Sequence, residues 1–232
     1  MCGRYVPPAV GDMERFWNLS HRQSISSIVR RFNVAPTSQV PVIIRGQDAT
    51  LALVDARWGL VPFWWKQEKL PPMTSCARSE EAAQKPMWRT SLKSQRCIMP
   101  ALGYYEWNQN ELVPGPSGKP VKQPYYHYSP NSEILAIACL WATWNRSDAE
   151  PMLSSAVVTR EAAPSLAAIH DRMPVILKPE QYQAWLDPRT PANDIQEIMR
   201  DSRDDIQYYR VSVAVNNARN DYPELLDELR AA

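Results

Sequence analysis

Three residues in this sequence carry side chains suited to attacking a carbonyl carbon or moving protons, and they lie far apart in the chain: Cys2 in MCGR, Glu106 in YYEWN and His170 in IHDRMP. Methionine is commonly trimmed ahead of a small residue, and cysteine qualifies, so the mature chain is expected to start with a free α-amine and a thiol on adjacent carbons. The amine titrates at about 7.7–8.0 and the thiol near ~8.5, so both are usable nucleophiles at neutral pH. An amine condenses with an aldehyde to a Schiff base, and the neighbouring thiol can close that imine into a five-membered thiazolidine. Position alone equally allows Cys2 to be an incidental residue of a frayed terminus. Glu106 shares its run with Tyr104, Tyr105 and Trp107, where desolvation would raise a carboxyl toward the range of a general acid. The other reading is a strand glutamate facing solvent. His170 has Asp171 and Arg172 beside it as charge partners that can set its titration near neutrality, though a histidine at such a junction also serves as a hydrogen-bonded structural residue.

Groups so far apart need a scaffold, and composition says what kind. With 232 residues, 44% hydrophobic content and a formal net charge of +1, the chain can bury a full core. It is expected to form one domain over residues 1–232. The thiols Cys2, Cys76, Cys97 and Cys139 form no CxxC pair and no Cys/His cluster, which argues against a structural zinc site and against a disulfide scaffold and favours a reducing cytoplasm. No run approaches about eighteen uninterrupted apolar residues, so neither a membrane span nor export is expected. Arginine and lysine gather in the first hundred residues while DYPELLDEL makes the C-terminal part acidic, an asymmetry that permits a local face for an anionic ligand.

Runs rich in β-branched residues, among them QVPVII, TLALVDARW, RCIMPALGYYEW, EILAIACLWATW, LSSAVVT, MPVIL and YYRVSVAV, read as strands. Helices are expected at roughly 9–19, 79–94, 160–169, 179–187, 191–200 and 223–230. The strands follow one another without βαβ alternation, so the fold class is α+β with a mixed or antiparallel sheet core. With 21 prolines against 7 glycines, the connections should be ordered. NQNELVPGPSGKPVKQP reads as an irregular surface hairpin or loop.

RFNVAPTSQVPVI, RWGLVPFWW, CARSEE, ALGYYEW, VVTREA and IHDRMPVIL, taken with MCGR and in this order, resemble the SOS-response-associated peptidase (SRAP) family from Met1 to about Asn217. Members of that family shield abasic sites in single-stranded DNA through a covalent crosslink. The resemblance implies a barrel-like β core with surrounding helices and the mature N-terminus in a DNA-binding cleft. It makes Glu106 the acid/base that opens the sugar hemiacetal to its aldehyde, and His170 the group that handles protons during imine formation and crosslink reversal. Thr159 takes a positioning role. Arg4 and Arg78 become the first phosphate ligands, with Arg89, Lys93 and Arg96 as rim charges, and Asn33 and Pro36 shape the cleft wall. Adjacent tryptophans on a strand cannot both face the core, so Trp64 and Trp65 are read as a wedge that stacks on bases, the alternative being that both pack.

One position departs from the family: where it reads Asn-Ala-Arg, this chain has Cys76-Ala77-Arg78. A thiol donates and accepts hydrogen bonds poorly beside an amide, so Ser75, Thr74 or water must supply the contact or the rate falls. The implied function is capture of abasic-site aldehydes in single-stranded DNA by a cytoplasmic, nucleoid-associated monomer that needs no metal or cofactor, with lyase and autopeptidase side activities. A thiol peptidase using Cys2 and His170, or a noncatalytic single-strand DNA-binding module, are the other readings.

Overall fold

The computed structural model describes residues 3–19, 21–22, 29–46, 48–145 and 150–229. Thirteen strands are described: β1 (Tyr5–Val6), β2 (His21–Arg22), β3 (Gln39–Arg45), β4 (Leu51–Trp58), β5 (Cys76–Arg78), β6 (Arg96–Ala101), β7 (Gly103–Pro114), β8 (Pro120–Tyr128), β9 (Leu135–Trp144), β10 (Met152–Glu161), β11 (Arg172–Pro174), β12 (Ile176–Leu177) and β13 (Gln207–Arg210). Four α-helices accompany them: α1 (Val10–Trp17), α2 (Arg89–Ser94), α3 (Tyr182–Leu186) and α4 (Ala192–Arg200). The architecture is the mixed α+β class read from the sequence.

Five strands close on themselves. β4 pairs antiparallel with β3, β3 with β6, β6 with β9 and β9 with β10, and β10 returns parallel to β4. Closure removes the exposed edges that an open sheet would leave. The period-2 alternation sorts the side chains. Ile43, Leu53, Ile98, Leu140 and Val158 point to the face covered by Met13 and Trp17 of α1, Leu92 of α2, Trp185 of α3 and Ile195, Ile198 and Met199 of α4. Their neighbours Val42, Val54, Cys97, Met99, Cys139 and Val157 point the other way, into a second apolar cluster that Tyr5 and Tyr104 join.

Those two tyrosines belong to a separate sheet of order β1-β7-β8-β13. Its alternation is what places the chemistry. Tyr105 faces a third cluster with Phe32, Tyr126, Val211, Val215 and Leu225, and Glu106, one residue on, faces the opposite side with Tyr104.

Several elements differ from the sequence expectation. Residues 79–88 form turns before the short α2, and where a helix was expected over 160–169 β10 runs on to Glu161 and 164–169 form turns. YYRVSVAV breaks after Arg210: the Ser212 hydroxyl caps the 3-10 turn Val213–Asn216 by accepting from the Ala214 N–H. The expected helix at 223–230 is a 3-10 turn over Pro223–Leu226. The irregular excursion is the tip of a long hairpin, β7 and β8 pairing as far as Pro114 and Pro120. Arg96 is no rim charge. It is 2% exposed and donates to the carbonyls of Leu92, Lys93, Trp185 and Asp187, where two helix ends leave acceptors unpaired and a cation satisfies them. No described helix is long and apolar enough to cross a membrane.

Candidate active site

β1 lies against β7 with Tyr5 opposite Tyr104, and the Tyr105 N–H donates to the Arg4 carbonyl at 3.0 Å. Continuing that register sets Gly3 alongside Glu106. Met1 and Cys2 lie outside the described residues.

Glu106 is 2% exposed. Burial disfavours its charged form, and Asp171 adds to the effect, so the carboxyl is pushed up to about 7. His170 Nε2 stands 3.9 Å from Glu106 Oε2. The turn carrying His170 is fastened to β7 through the Gln109 N–H and the Ile169 carbonyl at 3.3 Å. Burial lowers the titration of His170, against the pull of Asp171, and so favours the neutral imidazole. Two residues 64 positions apart in sequence are thus brought side by side, a carboxyl raised to about 7 facing an imidazole whose titration burial lowers.

β5 brings Cys76 to the same place. It runs parallel to β10 with Cys76 opposite Val157 and Arg78 opposite Thr159. Burial, with the Glu106 charge acting in the same direction, pushes the Cys76 thiol up to about 12, so it stays an uncharged S–H. Thr159 is buried, its hydroxyl 3.4 Å from the Ala77 carbonyl and 3.4 Å from Arg172 Nη2. Arg172 binds both carboxylate oxygens of Glu80, at 2.8 and 2.9 Å, and the Thr159 carbonyl at 2.8 Å. One guanidinium therefore ties together the ends of β10 and β5 and the His170 turn.

The expected DNA contacts divide into exposed and internal groups. Arg78 projects into solvent, with Glu81 at 4.0 Å. Arg4 is half-buried: its Nη1 donates to Asn33 Oδ1 at 3.2 Å and to the Val215 carbonyl at 2.7 Å, and the guanidinium lies 5.9 Å from the Trp107 ring centroid. Asn33 is fully buried, and its amide donates to the carbonyls of Val215, Asn217 and Asn220. Its amide hydrogens are committed within the protein, where they fasten the 213–220 segment to the N-terminal strand. Pro36 sets a turn in which Thr37 takes a positive φ of 76° and the Ser38 N–H returns to the Ala35 carbonyl, an arrangement that favours proline at the second position.

The loop between β4 and β5 separates its aromatics. Trp65 is half-buried, its indole N–H donating to the Lys69 carbonyl while its own carbonyl accepts from Trp144 Nε1 at 2.7 Å. It anchors the loop. Trp64 is 39% exposed and Phe63, which sequence reading passed over beside the tryptophan pair, is 60% exposed. His127 was also missed. It is buried between Tyr104, stacked at 4.8 Å, and Tyr208, and burial drives it down to about 3. It forms a neutral aromatic floor on the Glu106 face. Among the described residues no three His, Cys, Asp or Glu side chains gather to hold a metal ion.

The sequence model of a protein family described as SOS response associated peptidase (SRAP) matches residues 1–218. A Bacillus subtilis protein named abasic site processing protein YoqW is 34% identical over 231 residues, covering 98% of this chain and 99% of its own. The chicken protein named abasic site processing protein HMCES is 32% identical over 227 residues, covering 84% of this chain and 65% of its own. Among solved structures, a Bacteroides thetaiotaomicron protein superposes with a TM-score of 0.81 at 24% identity, over 99% of this chain and 100% of its own. A phage-related protein from Bordetella bronchiseptica does so with a TM-score of 0.68 at 29% identity, over 90% and 94%.

Proposed function

Since this chain belongs to the SOS response associated peptidase family, we propose that it processes abasic sites, binding single-stranded DNA and capturing the sugar aldehyde on the amine and thiol of Cys2 after Met1 is removed. The observation that carries this reading is the Glu106–His170 pair at 3.9 Å, with the carboxyl at about 7, beside the strand that leads to residue 2. An abasic sugar is mostly a closed hemiacetal, which has no carbonyl to attack. Neutral Glu106 donates its proton to the ring oxygen as the C1' hydroxyl proton leaves to a base, the C1'–O4' bond breaks and the aldehyde forms.

The Cys2 amine adds to C1', the resulting hydroxyl departs as water with a proton supplied through His170, and the iminium nitrogen gives its proton back to His170, leaving the imine. The Cys2 sulfur then bonds to the imine carbon while its proton passes to nitrogen, and the thiazolidine closes. Cys76 does not compete in this last step: a thiol held at about 12 is protonated at neutral pH and so a weak nucleophile. Without ring closure the imine either hydrolyses or acidifies the sugar C2' proton, so that β-elimination cuts the strand. A weak lyase activity follows from the same intermediate.

For binding, Arg78 supplies a phosphate contact, and Phe63 and Trp64 supply exposed rings of the kind that stack on unpaired bases. The monomer suffices for this chemistry. The test pairs an intact mass of the purified chain with a denaturing gel of abasic single-stranded DNA. Loss of Met1 together with a denaturation-resistant adduct is the expected result. A chain that retains Met1 has no free Cys2 amine and would overturn the reading, and peptide cleavage without any adduct would replace it with a thiol peptidase. Salt-sensitive binding alone would leave a noncatalytic single-strand binder.

A further inference from the structure

His170 Nδ1 has two neighbours that make opposite demands on it. The Arg172 backbone N–H, at 3.0 Å, is a donor and requires the nitrogen's lone pair. The Asp171 carboxylate oxygen, at 2.8 Å, is an acceptor and requires a proton there. An imidazole nitrogen offers one in-plane position, so the two contacts exclude each other. With Arg172 satisfied, the neutral ring carries its proton on Nε2 and presents a donor toward Glu106. With Asp171 satisfied, the proton sits on Nδ1 and Nε2 presents a lone pair toward Glu106 and the reacting atoms.

Only the second state makes Nε2 a base, and only that state leaves Nδ1–H paired when Nε2 takes up a second proton. We propose that Asp171 is the positioning carboxylate of His170, selecting the tautomer in which Nε2 accepts protons, and that the Arg172 N–H holds the alternative, proton-donating tautomer. The inference rests on the reading of His170 as the proton carrier of the reaction. The logic is that of any histidine whose catalytic nitrogen is set by the hydrogen bond at the other one.

The surrounding charges explain why a carboxylate is needed. Toward His170 face Glu106 from β7 at 3.9 Å, Lys122 and the neutral His127 from β8, and Arg172 from its own turn. Lys122 and Arg172 disfavour the imidazolium, as does burial, while Asp171 favours it. Glu106 is itself protonated over part of the working range and cannot be a constant counter-charge. The Asp171 side chain is 85% exposed, so it can swing toward or away from Nδ1 without disturbing the core, and its replacement does not threaten the fold.

The experiment uses the full-length chain labelled with nitrogen-15 in histidine. In the native protein the His170 ring should show a protonated Nδ1 population. In Asp171→Ala the ring should move to the Nε2–H form and titrate at lower pH, and Asp171→Glu should restore both. On abasic single-stranded DNA, Asp171→Ala should slow adduct formation and reversal at neutral pH by roughly three- to tenfold, the range for one hydrogen bond to a solvent-facing charge. The same change should have no effect in a His170→Ala background. Identical ring nitrogen shifts in native and Asp171→Ala proteins would overturn the proposal, as would an equal rate loss with and without His170. Absence of any adduct in the native protein would instead count against the abasic-site reading, while the nitrogen spectra would still decide the Asp171–His170 pairing.

Discussion

Glu106 must cost the protein stability, and the cost has a definite pH dependence. Its carboxyl is raised from an ordinary 4.5 to about 7, chiefly by burial. Between those two pH values the folded chain holds a proton that the unfolded chain has released, so stability falls as pH rises and then levels off above about 7. The interval corresponds to ~3 kcal/mol at roughly 1.4 kcal/mol for each pH unit. Below about 4.5 both states are protonated and the cost is absent. Glu106→Gln keeps the shape and removes the titration. The stability of the Glu106→Gln protein relative to native should therefore climb by ~3 kcal/mol between about pH 4 and about pH 8. Urea unfolding of both proteins across that range measures it, with the slope against urea checked for constancy. The same variant should form adduct far more slowly. A stability difference that stays flat with pH would show that the Glu106 carboxyl titrates normally, and the argument that burial prepares it as a neutral acid would be refuted.

Asn33→Ala should lower stability by about 1–3 kcal/mol in urea unfolding, because the carbonyls of Asn217 and Asn220 lose the Asn33 amide while that of Val215 keeps Arg4, and any loss of DNA affinity should follow the loss of fold. Phe63→Ala and Trp64→Ala should each weaken single-strand binding by about 1–3 kcal/mol with the melting temperature unchanged, whereas Trp65→Ala, which cuts the loop's tie to Lys69, should lower the melting temperature; equal melting shifts in all three would contradict this division. Arg78→Ala should reduce the dependence of affinity on salt by about one phosphate contact, read from the slope of log affinity against log salt. Cys76→Asn should speed adduct formation, followed as the early rate of crosslinked product on a denaturing gel.

What the sequence disclosed and what it concealed divide along chain distance. Glu106 could be read as a desolvated carboxyl because its flanking Tyr105 and Trp107 announce a strand in apolar surroundings, and strand alternation then does the placing. His170 carried its own charge partners in the next two residues, yet nothing local says that Arg172 spends its guanidinium on Glu80, 92 positions earlier. Asn33 looked like a wall of the cleft; its acceptors come from 182 to 187 residues away, a closure that no local pattern encodes. Arg96 looked like one more surface cation until two helix ends converged on it. Phe63 shares a run with two tryptophans, and only the tie between Trp65 and Trp144 decides which rings face outward.

Cys76 shows how such distant placement alters the meaning of a residue. Read locally, a thiol in place of an amide removes a good hydrogen-bonding group and adds a rival nucleophile. Placed on β5 against β10 and close to Glu106, the thiol is desolvated and also opposed by a carboxylate when that group ionises, and both effects keep its proton on. The substitution thus removes hydrogen-bonding capacity without adding a second thiolate. On the proposed reaction, its consequence falls on the stabilisation of the ring-opened sugar, which an amide would bind better, and not on the choice of nucleophile. The rate should therefore respond to Cys76→Asn while the adduct formed keeps the same mass.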